Sequence, residues 1–231
     1  MRAQAQTGSG KTAAFGIGVL NRIDSGRFHT QALVLCPTRE LADQVSNVLR
    51  QLARFTRNIK ILTLCGGQPM SAQRDSLVHA PHIVVGTPGR ILDHLKRDNL
   101  DLSQLQSLVL DEADRMLEMG FGDDMEAIIG FTPDSRQTLL FSATWPDTIA
   151  SLSQRFQRDA LAVATEAQSE LPAIEQQFIE ASASERINLL SALLSQKQPA
   201  SCVVFCNTKR ECDEIAAALN ERQISAIANA C

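Results

Sequence analysis

Residues 5–12 read Ala5-Gln6-Thr7-Gly8-Ser9-Gly10-Lys11-Thr12, small residues around two glycines that end in a lysine and a hydroxyl. A polyphosphate must be held by donors that approach without side chains in the way. Glycines let a loop curl its backbone N–H groups around a β-phosphate, and a lysine such as Lys11 then supplies charge to the β and γ oxygens. The complement lies far downstream in Asp111-Glu112-Ala113-Asp114. There Thr12 and Asp111 are candidates to hold Mg²⁺, and Glu112 to orient or deprotonate an attacking water. Lys11, Asp111 and Glu112 are therefore the candidate catalytic residues and 5–12 the candidate phosphate cradle of a nucleoside triphosphate hydrolase. Either segment alone has a bland reading, as a Gly/Ser surface turn with a solvated lysine or as an acidic patch on a helix.

The surrounding pattern argues against the bland readings. Phe15, Val19, Leu20 and Ile23 predict a helix over 13–23, which places the loop at a helix N-terminus. The apolar run 107–110 predicts a strand that delivers Asp111 at its carboxyl end, where ligands of open α/β sheets bind. Further strands are expected at 32–36, 59–64, 83–85, 138–141 and 161–164, alternating with helices at 41–55, 71–78, 90–95 and 147–155. Such alternation predicts an α/β fold with a parallel sheet covered on both faces. A polar stretch at 166–172 predicts a linker between a first domain over 1–165 and a second over 173–231, with strands at 174–180, 202–206 and 224–227 and helices at 187–194 and 212–219. Only four residues precede the phosphate loop, so its buried preceding strand is expected to be missing.

Composition sets outer bounds. The chain has 231 residues, 44% of them hydrophobic, enough for a real core. With 22 basic and 26 acidic residues the formal charge is −4, so nucleic acid would have to be met in a local groove and not by a global field. No membrane-length apolar run and no signal-peptide pattern is present, which makes a cytoplasmic location the expectation. The cysteines sit mostly in or beside apolar runs, which predicts free, packed thiols and no disulfides. The four isolated histidines are expected in solvated or capping roles.

With these residues in view, the chain resembles the DEAD-box RNA helicases of superfamily 2, nearest a bacterial subfamily that remodels ribosomal RNA. The motifs follow in family order: 5–12, then Pro37-Thr38-Arg39-Glu40-Leu41-Ala42, Gly66-Gly67, Thr87-Pro88-Gly89-Arg90, 111–114, Ser142-Ala143-Thr144, and Val204-Phe205-Cys206-Asn207-Thr208. The resemblance implies two RecA-like domains that close on ATP, with Mg²⁺, and on one RNA strand held by its backbone. It assigns RNA contact to Pro37, Thr38, Arg39, Gly66, Gly67, Thr87, Gly89, Arg90, Asn207 and Thr208. Asp114, Ser142 and Thr144 become a coupling group, the two hydroxyls bonding toward Asp114.

The family's upstream glutamine motif and its downstream motifs V and VI, with an arginine finger, do not occur in this sequence. The chain is therefore expected to be a helicase fragment, acting as a monomer, with weak ATP turnover on its own. A second reading keeps the RNA face but no catalysis, as a non-catalytic binding module.

Overall fold

The computed structural model describes residues 1–5, 9–56, 58–164, 175–182 and 184–229. It divides into two compact units, Met1–Ser169 and Glu170–Cys231. The first contains strands β1 (Arg2–Gln4), β2 (Ala32–Leu35), β3 (Ile61–Leu64), β4 (Ile83–Gly86), β5 (Ser107–Leu110), β6 (Gln137–Ser142) and β7 (Ala162–Ala164). Among the described residues these form one seven-stranded sheet in the order β3-β4-β2-β5-β6-β1-β7, and every pairing is parallel. The expected parallel α/β architecture holds.

The period-two alternation of the strands sorts their side chains onto two faces. Leu33, Leu35, Val84, Leu108 and Leu110 pack on one side, under helices α4 (Pro88–Lys96), α5 (Ala113–Glu118), α6 (Gly122–Gly130) and α7 (Asp147–Phe156). Ala32, Val34, Ile83, Val85 and Val109 pack on the other, under α1 (Lys11–Leu20) and α2 (Arg39–Leu52). Strands β2, β4 and β5 are buried throughout because both faces are covered, which is why they read as unbroken apolar runs. Helix α2 is defined at its start by Thr38, whose hydroxyl accepts from the Leu41 N–H at 3.2 Å, with Glu40 in the first turn and Arg50 in the last. A 3₁₀ turn, Ala53–Phe55, ends it. Helix α3 (Met70–Leu77) adds Leu77 to the first of these core faces.

One expectation about the first unit is overturned. The position before the phosphate loop is filled: Arg2–Gln4 form β1, in register with Leu140–Ser142 on one side and Ala162–Ala164 on the other. Three residues suffice because both neighbours present a complete ladder. Helices α5 and α6 escaped the sequence reading, since their apolar residues, such as Met116, Met125 and Ile128, come from two short helices broken at Gly120 (φ 82°) and leave no long repeat.

The second unit departs further. Helices α8 (Arg186–Lys197) and α9 (Lys209–Glu221) form close to where they were expected. The strands expected at 202–206 and 224–227, and the described part of 174–180, do not. A strand needs a ladder partner, and none is present for them among the described residues, so Phe178, Val203 and Phe205 stand exposed. The two helices are tied by Arg222, which donates to the Ser191 hydroxyl at 2.7 Å and to the Ile187 carbonyl at 3.2 Å. The expected linker, 166–172, lies outside the described residues.

Candidate active site

Six of the seven strands point their carboxyl ends at motif residues: Ala5 after β1, Pro37 to Arg39 after β2, Gly66 and Gly67 after β3, Thr87 after β4, Asp111 after β5, and Thr144 after β6. Of the phosphate loop, Gln6, Thr7 and Gly8 lie outside the described residues. Ala5 is buried and donates its N–H to the Ser142 carbonyl at 3.1 Å, anchoring the loop's start between strands. Gly10 takes φ 82° as the residue capping α1, a left-handed conformation suited to glycine; Ser9 beside it is exposed. Lys11 opens α1 and is only 7% exposed, and the half-buried Thr12 follows it.

Lys11 Nζ sits 3.4 Å from Asp111 Oδ1 and 3.3 Å from Glu112 Oε1. Asp111 is completely buried, and neither carboxylate oxygen has an aligned hydrogen bond among the described residues. Burial pushes its carboxyl above the usual aspartate range, and the Lys11 charge pulls partly back. A buried carboxylate with both oxygens unsatisfied is costly, and hard anionic oxygens of this kind suit a divalent cation. Glu112 adopts φ 53°, a left-handed conformation rare for a residue with a side chain. Such strain persists where surroundings impose it, and here it turns the Glu112 carboxylate to Lys11. The sequence carries no signal for that strain.

Asp114 is gripped by Thr144. The Thr144 N–H and hydroxyl both donate to Asp114 Oδ2 at 2.9 Å, while the Arg115 N–H donates to Oδ1 at 3.0 Å. Burial would raise this carboxyl, but these hydrogen bonds, Thr144's foremost, hold it below the usual range. The buried Ser142 hydroxyl is near enough to help hold Asp114 down, as expected of the coupling group, although it makes no aligned hydrogen bond among the described residues. A depressed folded pKa adds stability above the unfolded value that is lost as pH falls through the folded one. Thr144→Val should therefore cost about 1 kcal/mol at neutral pH. Urea titrations at neutral pH and in acid below the aspartate range should show that difference shrinking.

At the same carboxyl edge of the sheet opens a cavity of about 500 Å³. Three separate loops line it: Pro37, Thr38 and Arg39 from one, Gly66 from the second, and Thr87, Gly89 and Arg90 from the third. These residues, far apart in sequence, were expected to share one face, and the fold brings them together. Gly67 (φ 81°) underlies it, and a Cβ there would overlap the Arg39 guanidinium. Glu40, Asp93, Met119 and Phe121 complete the wall, the last two without a signal in the sequence.

Behind the wall runs a buried polar chain that sequence reasoning also missed. Gln73 donates to the Cys65 carbonyl at 2.8 Å and accepts from Arg90 Nη1 and His94 Nε2, both at 2.9 Å. Asn99 Nδ2 approaches His94 Nδ1 at 3.4 Å, a contact that suits the neutral tautomer with the proton on Nε2. Burial, aided by Arg90, keeps the His94 pKa below its usual range. His82 is buried as well, its Nδ1 accepting from the Lys60 N–H at 3.0 Å. Neither histidine is solvated as expected, because each supplies a buried acceptor that a neighbouring N–H requires. Gln73→Ala leaves three polar partners exposed to an empty site, so it should cost about 2–3 kcal/mol of stability, read by urea unfolding. Gln73→Glu should restore the acceptor for Arg90 and recover part of it.

In the second unit, Asn207 and Thr208 cap α9. The Thr208 hydroxyl accepts from the Glu211 N–H and the Glu211 carboxylate accepts from the Asn207 N–H, both at 3.1 Å. Cys36 and Cys65 are buried as small hydrophobes, whereas Cys202 is exposed, its strand being absent.

The DEAD/DEAH box helicase family model matches residues 1–152. The chain is 63% identical over 227 residues to the ATP-dependent RNA helicase DbpA of Escherichia coli, a match covering 98% of this chain and 50% of that relative. It thus spans about half the length of this curated relative. Among solved structures, a DEAD box protein from the hyperthermophile Methanococcus jannaschii is 38% identical with a TM-score of 0.69, covering 98% of this chain and 61% of that one. Dbp5 of S. cerevisiae bound to RNA and ADP BeF3 is 29% identical with a TM-score of 0.80, covering 97% and 57%.

Proposed function

For this chain, a member of the DEAD/DEAH box helicase family, we propose the ATP-binding and RNA-gripping role of an ATP-dependent RNA helicase that remodels ribosomal RNA. The observation that carries it is Lys11 set 3.3–3.4 Å from Asp111 and Glu112 at the sheet's carboxyl edge, the edge that also carries the three-loop cavity. The domain boundaries proposed are 1–165 for the ATP-binding domain and 173–231 for the second. The family relationship and the names of the relatives support ATP and RNA as ligands.

The residues divide the work by chemistry. Backbone N–H groups of 5–12 and the Lys11 ammonium bind the polyphosphate, and Lys11 leaves its two carboxylates for the phosphate oxygens as it does so. Thr12 and Asp111 would hold Mg²⁺, which neutralises charge on the β and γ oxygens. Glu112, released from Lys11, orients a water in line with the γ-phosphorus and accepts its proton at Oε1. Asp114 and Thr144 join the loop after β5 to the loop after β6, so a change at one moves the other. Arg39 and Arg90 meet phosphates of a single strand, while Gly66 and Gly89 let the backbone approach; none of these groups reads a base. Asn207 and Thr208 are proposed to add contacts from the second domain. No helix among the described residues is long and apolar enough to cross a membrane. The test is a chimaera in which this chain replaces the aligned half of Escherichia coli DbpA. It should hydrolyse ATP in an RNA-dependent way, and a folded chimaera without hydrolysis would favour the non-catalytic reading.

A further inference from the structure

A second cavity, about 810 Å³, opens at the opposite edge of the sheet, where residues 59–61 enter β3 and 79–82 lead into β4. Among its lining residues are Arg50, Arg54, Lys60 and two histidines, and none of the described lining residues is an aspartate or glutamate. In a chain of net charge −4, a basic cavity without a carboxylate is a local departure from the average surface. Two of its cations, Lys60 and Arg50, are held in place by neutral partners that leave their charge undiminished. Lys60 Nζ donates to the Ser76 and His79 carbonyls, both at 2.6 Å, and Arg50 donates to Asn47 Oδ1 and Thr63 Oγ1, both at 3.1 Å. Fixed cations of this kind bind an anion without a further ordering cost.

Aromatic surface accompanies the charge. Phe28 is 69% exposed, and the buried His82 ring lies behind it, with centroids 5.9 Å apart. Arg54 stacks over the exposed Phe55 at 4.9 Å. Basic side chains interleaved with exposed aromatic faces suit a single-stranded nucleic acid, whose phosphates meet the cations and whose bases stack. Helix α2 spans the two cavities: Arg39 at its first residue lines the three-loop cavity, and Arg50 near its last lines this one. At 1.5 Å per residue its 14 residues run about 21 Å.

We propose that this cavity is a second contact site for single-stranded RNA, with phosphate on Arg54 and Lys60 and a base stacked on Phe28, engaged by a strand that also occupies the three-loop cavity. The inference rests on the RNA reading above and adds a site to it. The test is fluorescence anisotropy of a 20-nucleotide oligouridine with this chain across a salt series, for the wild type and for Arg54→Ala, Phe28→Ala and Arg90→Ala. Both Arg54 and Phe28 are exposed, so their variants should fold normally, checked by circular dichroism. Phe28→Ala should weaken binding about tenfold, the scale of one lost base stack. Arg54→Ala should weaken it and reduce the salt slope by about 0.7, one phosphate contact on a single strand. Binding that needs Arg90 but is unchanged in affinity and salt slope by Arg54→Ala and Phe28→Ala overturns this site and leaves the RNA reading standing. A wild-type chain that binds no RNA overturns both. Displacement of the RNA from Arg90→Ala by a polyglutamate peptide, with loss of that displacement in Arg54→Ala, would assign the cavity to an acidic peptide and overturn it as an RNA site.

Discussion

Lys11→Ala is expected to lower the affinity of this chain for ATP with Mg²⁺ about a hundredfold and, separately, to destabilise the first unit by about 3 kcal/mol. The first effect is the loss of charge-assisted hydrogen bonds to the phosphates, about 1.5–3 kcal/mol each. The second follows from what Lys11 does without nucleotide. It is the cation beside Asp111, which is wholly buried and otherwise unpaired among the described residues, and removing one partner of a buried ion pair leaves the other charge uncompensated. Adding Asp111→Asn should recover most of the stability and none of the binding. The pH dependence has a definite sign. Burial raises the folded pKa of Asp111, so the cost of its ionised form is full above that value and fades as pH falls through it. Calorimetric ATP titration and urea unfolding of the single and double variants read the two effects independently.

Glu112→Gln is expected to lower ATP hydrolysis by the chimaera about 10²- to 10⁴-fold, the range for loss of a general base, while ATP affinity changes by less than tenfold. Glutamine keeps the length and the φ 53° geometry of the position but cannot accept the proton of the attacking water. Its carbonyl still meets Lys11 in the nucleotide-free state, so the fold should be retained. Single-turnover hydrolysis with prebound ATP separates the chemical step from binding. A variant that hydrolyses ATP within threefold of the parent would remove Glu112 from the chemistry.

Legibility in the sequence followed the physics of each feature. The buried strands β2, β4 and β5 could be read because parallel strands covered on both faces are apolar at every position, and Asp111 could be placed because it ends one of them. The candidate phosphate residues were found from glycines, a lysine and a hydroxyl spaced before a helix, whereas the RNA residues came only through the family resemblance, since a turn glycine or a surface arginine has ordinary structural uses. What stayed hidden depends on tertiary partners. Arg2–Gln4 become a strand only because β6 and β7 flank them. Residues 202–206 carry the apolar signature of a strand yet remain extended coil, since a ladder is a property of two segments and not of one. Gln73 and His94 have ordinary helical spacing, and only their hydrogen bonds to Cys65, Arg90 and Asn99 reveal them as the support of the Arg90 wall. The strain at Glu112 belongs to the same class, as does the basic cavity at the far edge, to which Phe28, Arg50, Arg54, Lys60 and His79 come from separate segments.

The proposed function has the Lys11, Asp111 and Glu112 cluster perform RNA-coupled ATP hydrolysis. It is tested most directly by steady-state phosphate release from the chimaera, with and without single-stranded RNA and with Lys11→Ala as control. Release should rise at least tenfold on adding RNA and disappear in Lys11→Ala. A folded chimaera that binds RNA but releases no phosphate above the Lys11→Ala background would contradict it.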